Sequence, residues 1–322
     1  MKNFTYVSPA SVAEVIPLLQ QGAQALAGGS DLVTRLKEHL ASPERLVSLR
    51  GLDLRGIVEK AGGVQIGALA SLADLERGPQ LRGGPYRALA QAARSAASPQ
   101  LRNVATIGGN LLQDARCWYY RGPFDCWLKG GAECPARSGE HHHHAIFEQS
   151  PCAAPHPSDP ATALLVLGAT VALVGAGGER EIGLADLLAP PTAERRALST
   201  IGPAELITAI ALPELAGWRS SYQKAMERAT YAFALAAAAV AIKVEAGVVV
   251  AARIALGGVA NTPLLASEAA ASLLGRPLTD DSIADAAALA ARGALPLSQT
   301  NYKIELVEGL VRAALLEIGE EM

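Results

Sequence analysis

Apolar positions along the first hundred residues switch between helical and strand spacing, and the switches predict short alternating elements. Ser11-x-x-Glu14 has the spacing of a capping box, and the pattern behind it predicts a helix to about Gly22. Residues 24–27 read as a short buried strand, 28–31 as a turn and 32–36 as helix, a βαβ-type beginning. Residues 46–49 and 64–68 follow as strands, and Ser71-x-x-Asp74 opens another short helix. An Ala-rich helix is expected over 85–98, with Pro85 in its first turn and Pro99 as its stop. Residues 103–110 read as loop, short strand and glycine turn.

Residues 114–157 keep neither period, and a stretch this long inside a compact domain is normally functional or disordered. Beyond it, 159–168 reads as helix and 170–175 as a strand turning at Gly177-Gly178 into Arg180-Glu181-Ile182. Pro190-Pro191 breaks the chain, and 205–213 is a strand closed by proline. A boundary is placed near Gly217, followed by a long hairpin of 234–244 and 248–257 and helices near 266–274, 280–292 and 302–317. No internal repeat is present.

Composition narrows the picture. At 322 residues, 50% hydrophobic and only 4% aromatic, the chain builds a large core mostly from Ala, Leu, Val and Ile in two or three units. Its net charge of −3 comes without a dense basic stretch, which argues against nucleic-acid binding. The first residues lack the apolar run of a signal peptide, and the Ala-rich run 231–242 is too short to span a bilayer. The expectation is a soluble, cytoplasmic chain.

All four cysteines, Cys117, Cys126, Cys134 and Cys152, fall within 36 residues, spaced C-x8-C-x7-C-x17-C. In a reducing compartment such clustering suggests metal ligands or reduced thiols before disulfides. Zinc sites usually show closer cysteine pairs, whereas iron–sulfur clusters take four thiolates at varied spacing, so both readings stay open. Two Gly-Gly turns, Ala27-Gly28-Gly29-Ser30-Asp31 and Thr106-Ile107-Gly108-Gly109-Asn110, offer backbone N–H groups that a phosphate could approach, although either also reads as a plain turn. Neither is the G-x-G-x-x-G fingerprint. The run His141-His142-His143-His144 reads as an accidental or engineered surface run, and His156 as a turn residue.

The motifs Ala27-Gly28-Gly29-Ser30-Asp31-Leu32, 98–111 and Asn301-Tyr302-Lys303-Ile304-Glu305-Leu306-Val307 resemble the FAD-binding medium subunits of the molybdenum hydroxylases over nearly the whole chain. The cysteine loop, with Arg116-Cys117-Trp118-Tyr119-Tyr120-Arg121 and His156-Pro157-Ser158-Asp159, looks closest to the aldehyde oxidoreductases whose medium subunit carries a [4Fe-4S] cluster. A hydroxybenzoyl-CoA reductase subunit is the alternative within the family, and a zinc-stapled binding protein the alternative outside it.

The resemblance implies an α+β chain: a two-lobed FAD-binding fold of the vanillyl-alcohol-oxidase type, lobes 1–60 and 61–217, and a C-terminal α+β domain, 218–322. It implies FAD held by Ala27, Gly28, Gly29, Ser30, Asp31, Leu32, Thr106, Gly108, Gly109, Asn110, Asp159, Ile207 and Lys224, with Lys224 at the flavin. It implies cluster ligation by Cys117, Cys126, Cys134 and Cys152, and no catalytic residue in this chain. The implied partners are a large subunit with the molybdenum cofactor and a small subunit with two [2Fe-2S] clusters, in a heterotrimer or its dimer. A signal-bearing partner would carry such a complex to the periplasm.

Overall fold

A computed structural model describes residues 1–321. Three sheets organise it. The first is parallel, with β1 (Thr5–Val7) and β2 (Gln24–Leu26) flanking β3 (Arg45–Ser48). The helix Val12–Gln20, capped by Ser11 accepting from Glu14 N, buries Val15, Ile16 and Leu19 beside this sheet. The βαβ expectation is realised. The edge strand β1 is an addition, because a three-residue strand with two exposed side chains carries almost no hydrophobic signal.

The second sheet is antiparallel: β4 (Ile57–Lys60), β5 (Gly63–Gly67), β6 (Thr170–Gly175), β7 (Gly178–Gly183) and β8 (Leu206–Pro213), in the order β4-β5-β8-β6-β7. β4 is a mostly exposed edge strand that sequence periodicity misses. It pairs with β5, so the second sheet begins before residue 61.

The third sheet follows: β9 (Trp218–Ala225), β10 (Ala236–Glu245), β11 (Val248–Gly257) and β12 (Leu264–Leu265), ordered β12-β11-β10-β9. Helices Asp280–Ala290 and Tyr302–Glu320 cover one face, close to their expected bounds. In β10, side chains alternate between two cores: Ala237, Ala239 and Ala241 face the FAD-lobe side, while Ala236, Ala238, Val240 and Ile242 face the helices. Period-two geometry makes this split, and small residues let backbone-bearing layers approach from both sides.

Two local expectations are corrected. Pro99 does not stop the preceding helix. Arg87–Ser95 has already ended, and Pro99 is the first residue of a new turn, Pro99–Arg102, capped by the Ser98 hydroxyl accepting from Leu101 N. The expected strand and turn at 103–110 is instead a helical turn, Ile107–Leu111, capped by Thr106. Pro at the first helical position and Thr at the cap are both starting signals, and here they outweigh the glycines.

Candidate functional site

The two glycine turns meet. Gly28 lies so close to the chain before Thr106 that a Cβ would stand 1.8 Å from Val104 O, and Gly29 has φ +75°. A Cβ on Gly109 would lie 3.0 Å from Thr106 Oγ1, the atom that caps its own N–H. Gly108 packs against Ala68, with a Cβ position 3.1 Å from its carbonyl oxygen. Only glycine allows the approach at Gly28, and a side chain at Gly108 or Gly109 would need its neighbour to give by a few tenths of an ångström.

Between them lies a cavity of about 410 Å³, a usual ligand volume. It is lined by Ala27, Gly28, Gly29, Ser30, Asp31 and Leu32 from one side, by Thr106, Gly108 and Gly109 from the other, and by Ile207 from β8. Ten of the expected binding residues are therefore gathered at one cleft.

Asn110, Asp159 and Lys224 are not among the residues lining it. They form a second group. Asn110 Oδ1 accepts from Ser158 Oγ at 2.5 Å, and Ser158 caps the helix Asp159–Val166. Asp159 takes a hydrogen bond from Tyr222 at 2.7 Å and an ion pair from Lys224 at 2.8 Å. Lys224 Nζ also donates to Ser95 O and Ala232 O, so its three protons are all engaged. Asp159 and the two carbonyls turn the ammonium into a clasp. Burial and the Asp159 carboxylate hold the Tyr222 hydroxyl well above its ordinary pKa, so it stays a donor. Sequence reasoning missed Tyr222, although it lies two residues before Lys224 on one strand and therefore on the same face.

The first loop is tied to the cysteine segment by charge. The Asp31 carboxylate accepts from Asp114 N at 3.0 Å and from Arg121 at 2.7 Å, and Arg116 lies 2.9 Å away. Arg35 pairs with Asp114 at 2.6 Å. No period or spacing signals this network.

The four cysteines converge in one small core with Tyr119, Trp127 and Leu128. Cys117, Cys126 and Cys134 each immediately precede a short helical turn: Trp118–Arg121, Trp127–Lys129 and Pro135–Arg137. Backbone N–H groups of those turns face the sulfurs, as Ala154 N faces Cys152 Sγ at 3.4 Å. Burial pushes the Cys117 thiol up to about 11 and raises Cys126 too. Interaction between the neighbouring Cys134 and Cys152 thiols lowers Cys134 and raises Cys152.

Residues 114–157 are also held by protein contacts. The C-terminal domain grips the segment as well: Asn261 Nδ2 donates to Cys152 O and Ala154 O, and Ile146 N donates to Val259 O. Lys303, wholly buried, donates to His143 O and Gly258 O, and burial depresses it to about 7.

The histidine run is corrected from a surface run. A turn closed by His144 N to His141 O at 2.8 Å sends the first and fourth rings inward. His141 is 5% exposed and bonded to Ala136 O, Gly139 O and Ser298, and His144 is 2% exposed. His144 Nε2 lies 3.2 Å from Cys117 Sγ, and burial lowers its pKa to about 4. His142 and His143 remain partly open and face Glu227, within 4.8 Å ligand-atom spacing. His156 is a buried turn residue, accepting from Ser158 N.

The chain matches known families over nearly its whole length. Residues 2–215 match the FAD binding domain in molybdopterin dehydrogenase, and residues 221–318 the CO dehydrogenase flavoprotein C-terminal domain. The chain is 36% identical to the aldehyde oxidoreductase FAD-binding subunit of Escherichia coli K12, covering 98% of each. It is 30% identical to the carbon monoxide dehydrogenase medium chain of Afipia carboxidovorans, covering 97% of this chain and 96% of that one. Among solved structures, carbon monoxide dehydrogenase from Hydrogenophaga pseudoflava superposes with a TM-score of 0.77 at 28% identity, over 98% of this chain and 96% of that chain. Quinoline 2-oxidoreductase from Pseudomonas putida 86 gives 0.76 at 25% identity, over 98% and 96%.

Proposed function

Because the chain belongs to the FAD-binding medium subunits of the molybdenum hydroxylases, we propose that it is the FAD- and [4Fe-4S]-carrying subunit of a molybdenum-dependent aldehyde oxidoreductase. One observation carries the reading: a cleft built from both glycine turns is tied through Asp31 to Asp114, Arg116 and Arg121, which flank Cys117 in the core of four converging thiols. In this assignment the aldehyde is oxidised in a large subunit with the molybdenum cofactor. This chain holds FAD where electrons from a small [2Fe-2S] subunit reach it and leave to an external acceptor.

The residues fit both groups. Ala27, Gly28, Gly29, Ser30, Asp31, Leu32, Thr106, Gly108 and Gly109 frame the phosphate part of the cleft, where glycines admit the ligand close to the backbone, and Ile207 gives an apolar wall. FAD, when bound, supplies the two- and one-electron chemistry, and the chain contributes position and electrostatics. Asn110, Asp159, Tyr222 and Lys224 join the helix and strand behind the cleft through their mutual bonds.

Cys117, Cys126, Cys134 and Cys152 suit an iron–sulfur cube. Four thiolates gathered from long, varied spacings fit a cube with one iron each better than tetrahedral zinc, which usually takes closer cysteine pairs, and N–H groups near the sulfurs are among a cube's usual tuning contacts.

Purification of the complex without air tests the reading. It requires one releasable FAD per copy of this chain and about four irons beyond those of the small subunit. Zinc in place of that iron overturns the cluster assignment, and absence of flavin overturns the whole.

A further inference from the structure

The notable feature left unused by FAD binding and by the four thiols is the inward ring of His144. It is 2% exposed, its Nε2 is 3.2 Å from Cys117 Sγ, and its Nδ1 is buried with no partner. The ring cannot easily turn. Trp118 meets it edge-on at 5.5 Å between centroids and Tyr119 lies at 6.2 Å. Its backbone is fixed by the turn to His141, and the carbonyl just before it is held by Lys303.

We infer that His144 is a positioning residue for the cluster, donating Nε2–H to the Cys117 thiolate and thereby raising the cluster's reduction potential. The inference rests on the cluster assignment above. A free thiol could donate to the ring, but a thiolate bound to iron has no proton, so the contact persists only with the proton on Nε2. That tautomer leaves Nδ1 as a bare acceptor. The unpartnered Nδ1 is then a lone pair rather than a stranded N–H. A hydrogen bond drains charge from the sulfur and stabilises the reduced cluster, which carries one more electron. The sequence Cys117 to His144 thus supplies one ligand and its own second contact, 27 residues apart.

The test is a potentiometric titration of the co-expressed complex, followed by electron paramagnetic resonance, with His144→Leu and His144→Gln beside the parental protein. The leucine fills the space without a donor, and the glutamine restores an N–H. The expected result is a shift of the [4Fe-4S] midpoint to lower potential in His144→Leu, a midpoint near parental in His144→Gln, and unchanged [2Fe-2S] and flavin midpoints in both. Equal midpoints in all three proteins, with iron retained, overturn the inference. Loss of the extra iron in both variants also overturns it, because His144 would then be a ligand or a packing residue. If the parental complex itself has no extra iron, the cluster assignment fails first and this proposal falls with it.

Discussion

Lys224 Nζ lies 2.8 Å from Asp159 Oδ2, with the two side chains 2% and 6% exposed, so a strand of the C-terminal sheet is locked to the first turn of a helix in the FAD-binding lobe. Removing one partner strands the other charge, which costs about 3–5 kcal/mol. Lys224→Met is therefore expected to lower the melting midpoint sharply, with Lys224→Met/Asp159→Asn recovering part of the loss. A single variant that melts with the parental protein would show that the clasp contributes nothing.

Gly28→Ala places a Cβ 1.8 Å from Val104 O, forcing the two glycine turns apart. Overpacking of this kind costs about 1–3 kcal/mol, and each 1.4 kcal/mol is about tenfold in affinity. FAD retention should fall roughly tenfold or more, measured as flavin released per chain on denaturation. Gly109→Val, which crowds Thr106 Oγ1 from within the cleft, should do the same.

Replacing any one of Cys117, Cys126, Cys134 or Cys152 by serine is expected to remove the extra iron and open residues 114–157 to protease. Replacing His142 and His143 by alanine should leave iron content unchanged, since their rings face Glu227 and solvent. Iron analysis and limited proteolysis distinguish the two groups.

Lys303 gives a pH signature. Its folded pKa, about 7, lies below the ordinary 10.5, so between those values the unfolded chain binds the extra proton. Stability then rises with pH across that window and is penalised in full below it. The parental melting midpoint should climb more steeply from pH 7 to pH 10 than that of Lys303→Met, by a difference on the order of 2 kcal/mol or more in stability. Parallel curves would mean the amine is solvated in solution.

The chain's local grammar was readable in advance. Caps at Ser11 and Ser71, the hairpin at Gly177-Gly178 and the long C-terminal hairpin are written in consecutive residues, because capping and turn formation depend on neighbours within four positions. The exposed edge strands β1 and β4 were not, since they bury too little to leave a period. β9 escaped notice for another reason: its polar residues Ser220, Ser221, Gln223 and Lys224 find partners only across the fold.

By itself the sequence determined most of the elements, the two glycine turns, the four-cysteine set and, through its motifs, the family. Tertiary structure alone decided which of those residues meet. It gathered residues 27–32 with Thr106, Gly108, Gly109 and Ile207, yet drew Lys224 onto Asp159 and away from that cleft. It also split one histidine run into two buried rings and two open ones. The reason is physical: a sequence specifies which groups demand a partner, but a buried charge or ring nitrogen takes the partner that packing brings within about 3 Å, and several of those partners, such as Asp159 for Lys224 and Ser298 for His141, lie tens of residues away along the chain.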